Sequence, residues 1–246
     1  MATQRPWREV PRLLPGLLGL LLLTLCLSHS HSRDSVRGGT ARALPAAPTT
    51  AWLEFLSGGD SVLAARLLMV WLQAFDTQPG LSLPLAALDY AQVEAWLAQA
   101  LLLDPRAQSP LLAASRLYSQ VPDPVRVARM LDFVHAQFAR DPARRWPWLA
   151  HAVWVAQHRL RDAARAQRYA HTLSAASDPA IPAWAQQMEI FVLEGTGEVA
   201  RARVLLTQLL ASGTVRDARE YAFLSQRLAQ MLPAEKPVGV SSEVLK

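Results

Sequence analysis

The sequence predicts an all-α chain, a solenoid of antiparallel helix pairs that follows an N-terminal membrane helix. Three observations predict it. Asp-Pro recurs at Asp104-Pro105, Asp141-Pro142 and Asp178-Pro179, 37 residues apart each time, with a helix-like apolar pattern filling each interval. A fixed period of that length marks a stack of helical hairpins. Glycine is scarce while alanine and leucine are abundant, which favours helix over sheet. Finally, an uncharged apolar run from Leu13 to Leu27 follows a basic N-terminus.

Composition narrows the function classes. Of the 246 residues 51% are apolar, too many for a disordered chain and ordinary for a globular one. The net charge of +5 is unevenly placed: residues 1–49 carry six arginines against Glu9 and Asp34, whereas residues 50–246 carry 19 basic and 18 acidic side chains. The basicity therefore belongs to the N-terminal segment, and no nucleic-acid partner is expected of the folded part. Cys26 is the one cysteine and lies in the apolar run, so no intramolecular disulfide forms.

In chain order, residues 1–12 form a basic N-terminal segment and residues 13–30 a membrane anchor or the apolar region of a signal peptide. Fifteen helical residues cover roughly 22 Å of a hydrocarbon core about 30 Å thick. An anchor must then start near Val10, with Arg12 snorkelling. A signal peptide would be cut within Ser28–Ser32, where small residues sit two apart. Arg5, Arg8 and Arg12 precede the run, so both readings place residues 50–231 outside the cytoplasm, on the periplasmic side of the inner membrane if the protein is bacterial. Residues 31–49 read as a linker, and His29 and His31 have no further metal ligand near them.

From Thr49 or Thr50 a short helix is expected through Leu56, broken by Ser57-Gly58-Gly59. Asp60 then caps a helix whose apolar stripe is Leu63, Leu67, Leu68, Val70, Trp71 and Phe75. Asp76–Pro84 is the longest irregular connection, and Tyr90–Leu103 a helix stopped by Asp104-Pro105. Asp123, Asp141 or Arg144, Asp162 and Asp178 stand where helices should start, and a carboxylate there accepts free backbone N–H groups. The Asp-Pro rhythm is thereby structural. A last helix spans about Asp217 to Met231, and residues 232–246 form a polar tail expected to be disordered.

Within this pattern Val93, Leu97, Ala100 and Pro105 stand at the spacing of the second helix of a tetratricopeptide repeat, and Leu111, Ala114, Ser115 and Tyr118 at that of the first helix. The same positions then hold Trp148, His151, Ala152 and Val155, and next Ala185, Met188, Glu189 and Val192. Gly197–Ala202 followed by Leu206 and Leu209 is similar to the turn and second helix again. The chain thus resembles a divergent tetratricopeptide-repeat protein over about residues 89–212, with intervals of 37 residues in place of the family's roughly 34. The resemblance implies a right-handed solenoid over residues 50–231, with the first helix of each hairpin lining a concave face for a protein or peptide partner. Carried over by position, that face includes Arg116, Ser119 and Gln120, then Trp146, Val153 and Gln157, then Gln186, Ile190 and Leu193. Arg116, Gln120, Trp146, Gln157 and Gln186 are the expected partner contacts.

Chemistry finds little purchase. Seven arginines against Asp141 and Asp162 make residues 140–168 a basic, tryptophan-bearing stretch. Helical spacing assigns Trp148 and Trp154 to the core, Trp146 to an exposed role, and the arginines to a solvated face. His135, His151, His158 and His171 lack the spacing of a metal site, and no nucleophile elbow, zinc-protease helix or phosphate loop occurs. No catalytic residue, cofactor, metal or small-molecule substrate is expected, nor a deep pocket with two converging carboxylates. The expected function is a membrane-tethered scaffold or adaptor in an extracytoplasmic or envelope assembly. The alternatives are an enzyme with a helical-toroid site acting on envelope polysaccharide and a secreted soluble binding protein.

Overall fold

The computed structural model describes residues 41–78 and 81–231, together with scattered helical positions at Gly16, Gly19, Leu20, Leu22, Leu23, Thr24 and Cys26. Apart from those positions, the expected basic segment 1–12, membrane segment 13–30 and tail 232–246 lie outside the described residues. The described chain is mostly helical, and it divides into two compact units at Pro105 and Arg106. That division falls within the 50–231 region expected as one repeat domain.

The first unit contains α1 (Thr50–Leu56), α2 (Ser61–Ala74) and α3 (Tyr90–Leu103). Each starts where a side-chain oxygen takes up an orphan N–H: Thr49 accepts from Trp52, Asp60 from Leu63 and Asp89 from Ala91. Gly58 and Gly59 end α1 at φ of +66° and +89°, a backbone that L side chains rarely adopt. The Asp76–Pro84 connection holds a hairpin of two-residue strands, β1 (Thr77–Gln78) and β2 (Leu81–Ser82), with Thr77 opposite Ser82. α2 packs on α3 through Ala64, Ala65, Leu68, Met69 and Leu72, and the Trp71 and Trp96 rings stack 4.4 Å apart. The stripe expected on α2 is corrected accordingly: of its residues Leu68 is buried, whereas Leu63, Leu67, Val70 and Trp71 are exposed. Residues 41–49 also differ from a free linker. Leu44 is buried, Trp96 Nε1 donates to the Pro45 carbonyl at 2.8 Å, and the Arg42 N–H donates to Gln78 Oε1 at 2.8 Å.

In the second unit α4 (Ser109–Leu112) runs on through a π turn (Ala113–Leu117) and a 3-10 turn (Tyr118–Gln120). α5 (Pro124–Phe138) and α6 (Pro142–Trp154) follow, and α6 ends in a second π turn (Val155–Arg159). Then come α7 (Ala163–Ser174), α8 (Ala183–Gln186), α9 (Met188–Gly195), α10 (Val199–Ala211) and α11 (Ala218–Met231). From α5 onward the helices pack on their sequence neighbours, with the short α8 and α9 together serving as the partner of α7. Asp123, Asp141 and Asp162 cap α5, α6 and α7 as expected. Asp178 does not cap a helix: it accepts from the Ala180 N–H at 2.9 Å and shapes the turn before Pro182. None of the four Asp-Pro pairs interrupts a helix: Asp104-Pro105 and Asp178-Pro179 fall between helices, whereas Pro124 and Pro142 are the first residues of α5 and α6, where proline has no helical N–H to lose. After the second π turn the chain reverses through Arg161 at φ +53°, the left-handed position usually given to glycine.

Three of the side-chain bonds that join non-adjacent elements of the second unit span nearly the Asp-Pro interval. Tyr169 donates its hydroxyl to Asp132 at 2.6 Å and His135 bonds Thr172 at 2.8 Å, both across 37 residues. Arg159 donates to the Val121 carbonyl at 2.9 Å, across 38 residues. Asp132 is the hub of this joint, since Arg168 also reaches it at 2.8 Å and Arg165 at 3.2 Å. Burial pushes the Asp132 carboxyl up, but the Tyr169 hydroxyl and the two guanidinium groups outweigh it and hold the carboxyl below its ordinary value. Burial and the same carboxylate push the Tyr169 phenol up. A carboxyl depressed in the fold contributes stability that is complete above its unfolded pKa and lost as pH falls through the folded value. Asp132→Asn should therefore cost about 1–2 kcal/mol at pH 7. The gap to the parent should narrow below about pH 4, as urea unfolding at the two pH values will show.

Candidate functional site

An exposed aromatic feature of the second unit is built by the phase of α6. Leu149, Ala152, Val153 and Ala156 are fully buried and take up its inward stripe. His151, Trp154 and His158, three and four residues apart, then share the other side. Trp154 is 53% exposed, and its ring lies 6.1 Å from that of His151 and 5.4 Å from that of His158. The expectation that Trp154 belongs to the core is thus corrected. Trp148 lies six residues away, about 1.7 turns, so the two indoles cannot occupy one stripe. Trp148 is half-buried and donates its Nε1–H to Gln108 Oε1 at 2.6 Å.

Arg116 continues this row on the first helix of the preceding hairpin. Burial lowers the His151 imidazole below its ordinary pKa, and the Arg116 guanidinium lowers it further, against a hydrogen bond with the Ser115 backbone. A neutral imidazole, an exposed indole and a permanent cation thus lie close together. Both π turns fall here: Arg116 is in the first, and Gln157 and His158 are in the second. Such turns shift the side-chain phase within a helix and recur at functional sites.

The other expected contacts are placed unevenly. Gln120 is exposed, whereas Trp146 is half-buried and meets Trp184 edge-on at 5.5 Å. Gln157 lies across Gly195, where any Cβ would stand 2.5 Å from its amide nitrogen. Gln186 donates to the Ala176 carbonyl at 3.0 Å. Ser119, Val153, Ile190 and Leu193 are corrected from groove to core, since all four are buried. Arg145 also departs from the solvated face expected of it. It is 3% exposed and donates to the Gln137 carbonyl at 2.6 Å.

Sequence reasoning missed a cavity of about 310 Å³ in the second unit, lined by Ser174, Gln186, Gln187, Glu189 and Glu220 against Ile190, Leu205, Leu209 and Val215. Glu189 and Glu220 both belong to its lining, each with its own side-chain partners. The one sequence signal was Glu189, which with Glu194 is one of two charges on the otherwise apolar α9. Ser174 donates to Glu189, and His171 Nδ1 bonds it at 3.0 Å, while Gln187 donates to Glu220 at 2.5 Å. The carboxylate therefore stands between the hydroxyl and the imidazole. In a nucleophilic triad the imidazole would be in the middle, taking the proton from the hydroxyl. Among the described residues no group of His, Cys, Asp and Glu is arranged to hold a metal.

Two measurements check this site. Trp154→Ala should cost less than about 1 kcal/mol by chemical unfolding, whereas Leu149→Ala should cost about 2–5 kcal/mol. In proton NMR, His151 should titrate below its ordinary value of 6.5 and move toward it in Arg116→Gln.

Compared with known protein families, with curated proteins and with solved structures, the chain matches none.

Proposed function

We propose that the chain is a membrane-tethered scaffold or adaptor whose second unit presents a right-handed stack of helix pairs to a protein or peptide partner. The observation that carries this reading is the row Arg116, His151, Trp154 and His158, with the indole half in water. An exposed tryptophan beside an arginine is a favoured anchor for a partner. Side-chain bonds recurring across about one Asp-Pro interval support the stacking of like hairpins. Stacked hairpins leave the outer side of their first helices free for another chain. Gln120, Trp146, Gln157 and Gln186 are further partner contacts by their positions in the repeat. The apolar run at Leu13–Leu27, led by Arg5, Arg8 and Arg12, supports an anchored chain with its folded part outside the cytoplasm.

A photo-reactive amino acid at Arg116 or Trp154, introduced in living cells, should cross-link one protein at both positions and should not do so at Val204 on α10. The double variant Arg116→Ala and Trp154→Ala should weaken capture of that protein about tenfold or more. Equal cross-linking at Val204, or unchanged capture by the double variant, would place the partner elsewhere. Mass spectrometry of the native N-terminus checks the tether: an anchored protein retains Leu13–Leu27, whereas a mature chain starting near His31 or Arg33 is a released one.

A further inference from the structure

The first unit turns an unusually apolar surface outward. α2 buries Ala64, Ala65, Leu68, Met69 and Leu72, so Leu63, Leu67 and Val70, four and three residues apart, form a second apolar stripe on its outer side. α1 buries Leu53 alone and exposes Trp52, Phe55 and Leu56. Phe55 is 75% exposed and Val70 is 64% exposed. Water-soluble surfaces seldom leave so many large apolar side chains together, and where they do the surface meets a partner or a membrane.

We infer that the outer face of α1 and α2 lies in the boundary layer of the membrane next to the tether, an inference that rests on the tethered reading above. Three features favour lipid. α1 and α2 together are long and apolar enough to cross a membrane but are bent by 101°, and no single described helix suffices. A bent apolar pair is suited to lying along a surface, its side chains dipping below the headgroups. Trp52 and Trp71 are on these helices, and tryptophan settles at that boundary. Chain length supplies the third. Arg42 follows Leu27 by fifteen positions, a reach of at most roughly 50 Å. Arg42 is fastened to Gln78 by hydrogen bonds of 2.8 and 3.0 Å, so the tether holds the first unit near the bilayer. Residues 50–75 carry only Glu54, Asp60 and Arg66, so attachment is apolar and needs no anionic lipid.

The test uses the full chain in phosphatidylcholine nanodiscs, with Cys26→Ser as background and a nitroxide at Phe55→Cys, Leu67→Cys or Val70→Cys in turn. Val125→Cys in the second unit is the aqueous reference, and Leu20→Cys reports the tether. Labels at 55, 67 and 70 should collide with an aqueous nickel chelate several-fold less than the label at 125 and with oxygen more. Replacing part of the phosphatidylcholine with phosphatidylserine should leave these values unchanged. Free collision with the nickel chelate at 55, 67 and 70 overturns the inference. Protection from both oxygen and nickel also overturns it, in favour of a protein partner or a second copy. A label at 20 that is accessible to the chelate instead sinks the tethered reading, whereas a lipid-facing 20 with aqueous 55, 67 and 70 sinks this inference alone.

Discussion

The second unit depends on one constraint: its helices are too short to stand in water without a neighbour. α5, α6, α7 and α10 have between 12 and 15 residues, the length at which an isolated helix is marginal. Each must cover its apolar stripe with the next helix, and the turns between them are short enough to force that choice. Side-to-side joints then lock neighbouring hairpins. Asp132 binds Tyr169, Arg168 and Arg165, while Arg159 holds the carbonyls of Ser119 and Val121 at the end of the preceding hairpin. These joints lie between the half-buried and the exposed, so each contributes modestly, and specificity of register is their larger effect. None of the buried side-chain nitrogen and oxygen atoms among the described residues lacks a partner.

Much of this was legible because it is local. A carboxylate or hydroxyl before an apolar run, and proline after it, act within one turn of their own position, so the starts of α1, α2, α5, α6 and α7 and the end of α3 can be read from neighbouring residues. The 37-residue spacing was equally visible, and side-chain bonds spanning 36 to 40 residues are its counterpart in space. What failed was phase. On α2 nearly every position is apolar, so periodicity cannot say which side faces in, and packing against α3 favours the small Ala64 and Ala65 over the bulkier Leu63 and Leu67. Trp154 was misassigned for a related reason, since six residues from Trp148 is not a whole number of turns.

The candidate face was legible only in outline. Arg116 and Gln120 are exposed as positional transfer required, yet Ser119, Val153, Ile190 and Leu193 belong to the interior. The π turn at Ala113–Leu117 bears on Ser119 and Gln120, because an inserted residue rotates everything after it relative to an ideal helix. No residue pattern announces such a turn. His151 and His158 were dismissed as metal ligands on spacing. Their arrangement on either side of Trp154 depends on the helix surface, and spacing rules for metals do not test it. The cavity at Glu189 was invisible because its wall is drawn from α7, α8, α9, α10 and α11, five elements whose approach no local signal encodes.

The two units solve the problem of apolar surface differently, and their proposed roles follow from that difference. In the second unit each stripe is matched by a neighbour, which leaves an outer side of mixed character where an indole, two imidazoles and a guanidinium meet water. Such a surface offers directional bonds and suits a chosen partner. In the first unit α1 and α2 have fewer neighbours than apolar stripes, and the excess consists of leucine, valine and aromatic rings with few hydrogen-bonding groups. A surface of that kind discriminates poorly between partners but adheres well to a medium that is itself apolar. Where apolar stripes are matched, selectivity becomes possible; where they are not, what remains is adhesion, and Arg42 of the first unit follows the apolar run by fifteen positions.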